Sequence, residues 1–173
     1  MSANGIKQWV GVVFALALLA CVEILLYRIS GSSFTTSLLN GSAMPIVVFV
    51  AGCVIGMAWE YLGQFSFAWW HYPSANKHPR LLALLPLFWG IFMLIMQDGY
   101  AIARIEGFGQ IPAVILSTVT LGFLIEGINL YTGSWVYTGR ANSIPLLIFG
   151  WIILLAFTFV TGFNAFILNP FGL

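Results

Sequence analysis

The sequence holds five acidic side chains, and four of them, Glu23, Glu60, Asp98 and Glu126, stand inside long apolar runs. A carboxyl placed in a membrane span costs a few kcal/mol on insertion scales, faces the bundle interior and marks function. Glu60 and Glu126 are each followed by the same pattern, Trp70-His71-Tyr72 and Trp135-Val136-Tyr137, at distances of ten and nine positions. Two carboxyls close together in low dielectric do not both ionise easily, so one is expected to keep its proton. A retained, poorly solvated proton suits an acid that must protonate a weak base such as a carbon–carbon double bond. Aromatic rings stabilise a developing carbocation by cation–π attraction, worth about 2 kcal/mol when desolvated. The rings in position to do so are Trp70, Tyr72, Trp89, Trp135, Tyr137 and Trp151. A plainer account competes: a structural pair sharing a proton, an acid bonded to a Trp, Tyr or Arg, and aromatics serving as an interfacial belt.

A second polar group combines Glu23 with Gln97-Asp98, and Arg28 and Arg104 fall at similar depth. Helix-end ion pairs are the simpler expectation there, with Asp98 as a second catalytic acid the sharper one. His71 and His78 flank a loop, but a metal site takes about three protein ligands and no spaced cluster exists, so no metal is expected. Cys21 and Cys53 occur in apolar runs outside any ligand motif and read as small buried side chains. No lysine lies within a span, which removes a retinal Schiff base, and nucleotide-binding glycine loops are absent. The chemistry proposed from the carboxyls needs no cofactor.

The elements that position these groups follow from composition. The chain is 61% hydrophobic and only 6% charged, against about 25% charged for a soluble domain. So few charges do not cover a water-facing globule, and the apolar runs reach the roughly 20 residues that cross a bilayer. The sequence reads as one all-α integral membrane domain, residues 1–173, with spans over 9–27, 44–64, 81–103, 110–130 and 144–163. Residues 18–21 imitate a lipoprotein cleavage box, yet the apolar run continues to Leu26, longer than a signal core, and is read as a transmembrane helix. Pro45, Pro112 and Pro145 sit at helix starts, where a missing N–H costs little. Pro86 falls one turn inside the third span and is expected to kink it. Residues 31–41 read as a polar loop and 167–173 as an interfacial tail. Lys7, Lys77, Arg80 and Arg140 on one side, against Arg28 and Arg104 on the other, favour a cytoplasmic N-terminus and an external C-terminus. A net charge of +1 gives no basic field for nucleic acid.

The second and third spans resemble the fourth and fifth. Both units, 44–103 and 110–163, carry an intramembrane Glu, Trp-x-Tyr, Arg, Pro and Trp in that order. Both run in the same direction, so the relation is a parallel repeat about an axis along the membrane normal. Tyr and Pro stand fourteen positions apart in the first unit and eight in the second, which places an insertion in the first loop.

The stretch Glu126-Gly127-Ile128-Asn129-Leu130-Tyr131-Thr132-Gly133-Ser134-Trp135-Val136-Tyr137, with Ile144-Pro145 and Trp151, resembles the integral-membrane carotenoid-biosynthesis proteins. That group includes carotenoid hydratases and, more distantly, lycopene-cyclase-type domains and membrane terpene cyclases. The copy over 60–89 is similar in outline. The lycopene-cyclase pattern has acids just after the Pro, whereas Pro145 is followed by Leu146-Leu147 and Pro86 by Leu87-Phe88. The resemblance implies isoprenoid chemistry on a lipophilic substrate entering from the bilayer, with Glu60 or Glu126 as the acid. Two other functions fit the same residues. One is a non-enzymatic subunit, in a homo-oligomer or with membrane-protein partners, that binds pigment or lipid. The other is a small proton-coupled transporter.

Overall fold

A computed structural model describes residues 3–73 and 83–138 of the chain. Within them α1 covers Ala3–Ser30, α2 Phe34–Leu39, α3 Met44–Tyr61, α4 Leu85–Ile105 and α5 Gln110–Thr132. Four segments are long and apolar enough to cross a bilayer: Trp9–Ser30, Met44–Ser66, Leu85–Ile105 and Gln110–Thr132. The expected fifth span, 144–163, lies outside the described residues, and with it Arg140, Pro145, Trp151 and the tail.

Helix α4 is the axis of the bundle, packing against α3, α1 and α5. It is the most buried of the four spans and α1 the least. The shared core joins Val48 of α3, Met93, Met96 and Tyr100 of α4, and Val114, Leu121 and Ile125 of α5. Large apolar residues on the outer faces, among them Val13, Leu16, Val54 and Phe123, are exposed. Water would penalise such surfaces, and lipid does not. Close packing relies on small residues where helices cross. A Cβ on Gly52 would stand 2.6 Å from Met93 Cβ and 2.8 Å from the Trp89 carbonyl oxygen. Gly99 of α4 likewise approaches Ser117 of α5.

Local chemistry accounts for three departures from the sequence expectation. Pro86 does not kink α4: the helix starts at Leu85, so the proline occupies its first turn, where no N–H is needed. The polar loop 31–41 contains a helix, α2, because Ser33 and Thr36 form a reciprocal capping box and Phe34 is buried in the core. The helix of the second span continues beyond Tyr61 as a π-helical turn, Leu62–Ser66. Its widened bonding is visible in Phe67 N–H donating to the Leu62 carbonyl at 2.9 Å.

The all-α architecture carries one further element. Two short strands, β1 (Trp70–His71) and β2 (Val136–Tyr137), pair antiparallel with Trp70 opposite Tyr137 and His71 opposite Val136. Thr138 extends the pairing, its N–H donating to the Trp69 carbonyl at 2.8 Å and its hydroxyl to that of Ala68. Gly133 leads into β2 by taking the left-handed φ of 61° that ends α5.

Candidate functional site: an acid held by aromatic donors

Glu60 lies on the buried stripe of α3 that also carries Val48, Gly52 and Gly56, a spacing that keeps one helical face toward α4. Its carboxyl accepts four hydrogen bonds. Tyr72 Oη at 2.8 Å and Trp89 Nε1 at 3.0 Å donate to Oε1, and Gln64 Nε2 at 2.9 Å and Trp70 Nε1 at 3.0 Å donate to Oε2. Four donors match the four lone-pair sites of a carboxylate. With Glu60 only 4% exposed, this arrangement offsets the desolvation of its charge by charge-assisted bonds.

The donors reach Glu60 because glycine makes room for them. A Cβ at Gly56 would fall 2.0 Å from Trp89 Cγ, and one at Gly63 would fall 1.8 Å from Trp70 Cη2. Each indole thus lies flat against a glycine and turns its N–H to the carboxylate between them. The π-helical turn brings Gly63 and Gln64 to this position. Further rings surround the donors, with Trp59 5.9 Å from Trp70 and Phe67 stacked on Trp69 at 4.6 Å. Burial and the adjacent Glu60 charge push the Tyr72 phenol well above its usual range, so its hydroxyl stays a donor at any working pH.

Glu126 on α5 is half-buried and accepts from Tyr137 Oη at 2.5 Å. The two acids are linked through rings: Trp70 meets Tyr137 edge-on at 6.3 Å, and Tyr72 meets Trp135 edge-on at 6.5 Å. Asn129 fixes the second of these rings with a two-bond clip, Nδ2 donating to the Trp135 carbonyl and Oδ1 accepting its N–H. The structure therefore gathers Glu60, Glu126, Trp70, Tyr72, Trp89, Trp135 and Tyr137 at one end of the bundle. Trp151 lies outside the described residues.

Asp98 is not part of this group. It lies nine residues beyond Trp89 on α4, roughly 14 Å along the axis at 1.5 Å per residue. The expected arginine pairs do not form either. Arg28 is exposed, Arg104 donates to the Phe108 carbonyl at 3.0 Å, and neither oxygen of Asp98 has a hydrogen-bond partner among the described residues. Glu23 instead accepts the backbone N–H groups of Phe34 and Thr35. No group of three or more potential metal ligands occurs among the described residues.

Sequence reading missed Gln64, Asn129, Gly56 and Gly63. The signal for the glycines was present in their spacing on the Glu60 face, seven positions apart on a helix rich in small residues. Comparisons with models of protein families, with curated proteins and with solved structures find no match.

Proposed function

We propose that the chain is a membrane-embedded enzyme that protonates a carbon–carbon double bond of an isoprenoid or carotenoid substrate. In this reading it is a five-span bundle with a parallel repeat, its N-terminus in the cytoplasm. The observation that carries the proposal is the Glu60 carboxylate, buried and bonded by three aromatic donors. An N–H or O–H that donates to an anion leaves its ring richer in electrons, which strengthens the attraction of that ring for a cation. Glu60 is then the fixed counter-charge rather than the acid. The acid is Glu126, which is half-buried and held by Tyr137.

Proton transfer from Glu126 to one alkene carbon leaves a carbocation on the other, beside Trp70, Trp89, Tyr72 and Trp135. Attack by a neighbouring double bond followed by proton loss closes a ring and returns the proton to Glu126. Attack by water instead gives an alcohol, and the water's proton replaces the one consumed. Both routes need preorganised electrostatics and no cofactor.

Two features support the repeat. Exchanging the two Trp-x-Tyr segments maps the strand pair onto itself, since Trp70 meets Tyr137 as Trp135 meets Tyr72. The π-helical turn after α3 absorbs one extra residue, which matches the ten-against-nine spacing from Glu to Trp. The test is isoprenoid profiling of a host that accumulates linear polyenes, expressing the wild type, Glu126→Gln or Glu60→Gln. A product should appear with the wild type, disappear with Glu126→Gln and fall at least about tenfold with Glu60→Gln. Identical profiles in all three sink the proposal.

A further inference from the structure

At the end of the bundle away from Glu60, α1, α2 and α4 meet around two carboxyls. Asp98 of α4 is 0% exposed, and both of its oxygens lack a hydrogen-bond partner among the described residues. It faces the carboxyl of Glu23 on α1. Glu23 is also buried and accepts from the N–H groups of Phe34 at 3.1 Å and Thr35 at 2.9 Å, the first residues of α2. Two hydrogen-bond acceptors thus confront each other in a water-poor interior, with no donor between them among the described residues.

Among the described residues, the groups packed around the pair supply no compensating cation. On α1, Cys21, Tyr27 and Arg28 are exposed. On α4, Arg104 donates to the Phe108 carbonyl, and Tyr100 brings no positive charge. The titratable side chains of α3 are Cys53, which abuts Gly90, and Glu60 and Tyr61 at the far end. Those of α5 are Glu126 and Tyr131, also at the far end, and α2 has none. Two full negative charges in contact here would repel strongly in low dielectric. One negative charge would be met by the two α2 amides already bonded to Glu23.

We infer that Glu23 and Asp98 form a proton-binding site, in which one proton carried by Asp98 is donated to Glu23 and joins α1, α2 and α4. The proton converts an acceptor–acceptor contact into a charge-assisted O–H···O bond. Its removal leaves two carboxylates in repulsion and loosens the anchor of α2. This site stands apart from the chemistry assigned to Glu126, and either can fail without the other.

Infrared spectroscopy of the full chain in lipid nanodiscs tests the assignment. The acid Glu126 has a protonated-carboxyl stretch of its own, so the band is read in a Glu126→Gln background, where it should be present at neutral pH and persist when Glu60→Gln is added. It should be lost when Asp98→Asn is added, and also with Glu23→Gln, whose amide can donate to an ionised Asp98. A band absent from Glu126→Gln, or one surviving Asp98→Asn in that background, overturns the proposal. Should the Asp98 and Glu23 variants fail to fold, Glu126→Gln decides alone. Raising the pH should bleach the band and expose the Phe34 and Thr35 amides to hydrogen exchange in one step. Loss of either signal without the other refutes the link.

Discussion

Glu60 and Asp98 are buried acids on neighbouring helices, α3 and α4, yet they are solvated by the protein in opposite ways. Glu60 accepts four hydrogen bonds, whereas neither Asp98 oxygen finds a donor among the described residues. Burial does not distinguish them. The difference lies in what the opposing faces carry: indole, phenol and amide donors around Glu60, and a second carboxyl against Asp98. Intramembrane position alone therefore says little about how an acid is solvated, and the donors on the facing helices say a great deal.

The largest expected effect comes from reversing the two environments. In Glu60→Gln the amide nitrogen turns two donors toward two of the four existing donors, leaving them unsatisfied in a dry site. Thermal unfolding in detergent, followed by tryptophan fluorescence, should show a loss of about 4 kcal/mol. The same change at the other end, Asp98→Asn, offers Glu23 a donor in place of the shared proton and should stay within about 1 kcal/mol of wild type at neutral pH. Equal losses would erase the contrast between the two acids.

A smaller effect separates the glycines that seat the indoles from those that do not. Gly56→Ala drives a methyl group into Trp89 and should cost about 3 kcal/mol through overpacking. Gly127 lies within α5, with no described residue within 4 Å of an added Cβ. Gly127→Ala should therefore stabilise by up to about 1 kcal/mol through helix propensity. A comparable loss at both positions, measured by the same unfolding assay, would show that the indole seat is not what the first glycine provides.

These contrasts also mark what was legible in the sequence. The four described spans follow from apolar runs, because the length that crosses a bilayer is fixed by its thickness. The grouping of Glu60 with Trp70, Tyr72 and Trp89 was readable from depth and shared order. Depth failed for Glu23 and Asp98, since it places Arg28 and Arg104 nearby without saying which way each helix faces. The rotation of α1 and α4 about their axes is set by packing, and it points Asp98 at Glu23 instead. Gln64 escaped notice because a π-helical turn, invisible in an apolar run, is what brings it to the site. The helix in the 31–41 loop was signalled by Ser33 and Thr36, although its main anchor, Glu23, is ten positions earlier than Ser33.

The smallest test concerns that anchor. Two devices satisfy the first amides of α2: Glu23 takes those of Phe34 and Thr35, and Ser33 Oγ takes that of Thr36 at a long 3.3 Å. With Glu23 in place, Ser33→Ala removes only the weaker device and should cost about 0.5–1 kcal/mol, at the low end for a lost cap. In a Glu23→Gln background the helix has a neutral, poorer acceptor, and fraying from its first turn becomes the easier route to loss. Ser33→Ala should then cost more than it does alone, which a double-mutant cycle on unfolding free energy would read as coupling of about 0.5 kcal/mol or more. Strict additivity would mean that α2 is held chiefly by the burial of Phe34, and that the carboxyl pair and the capping box act on it independently.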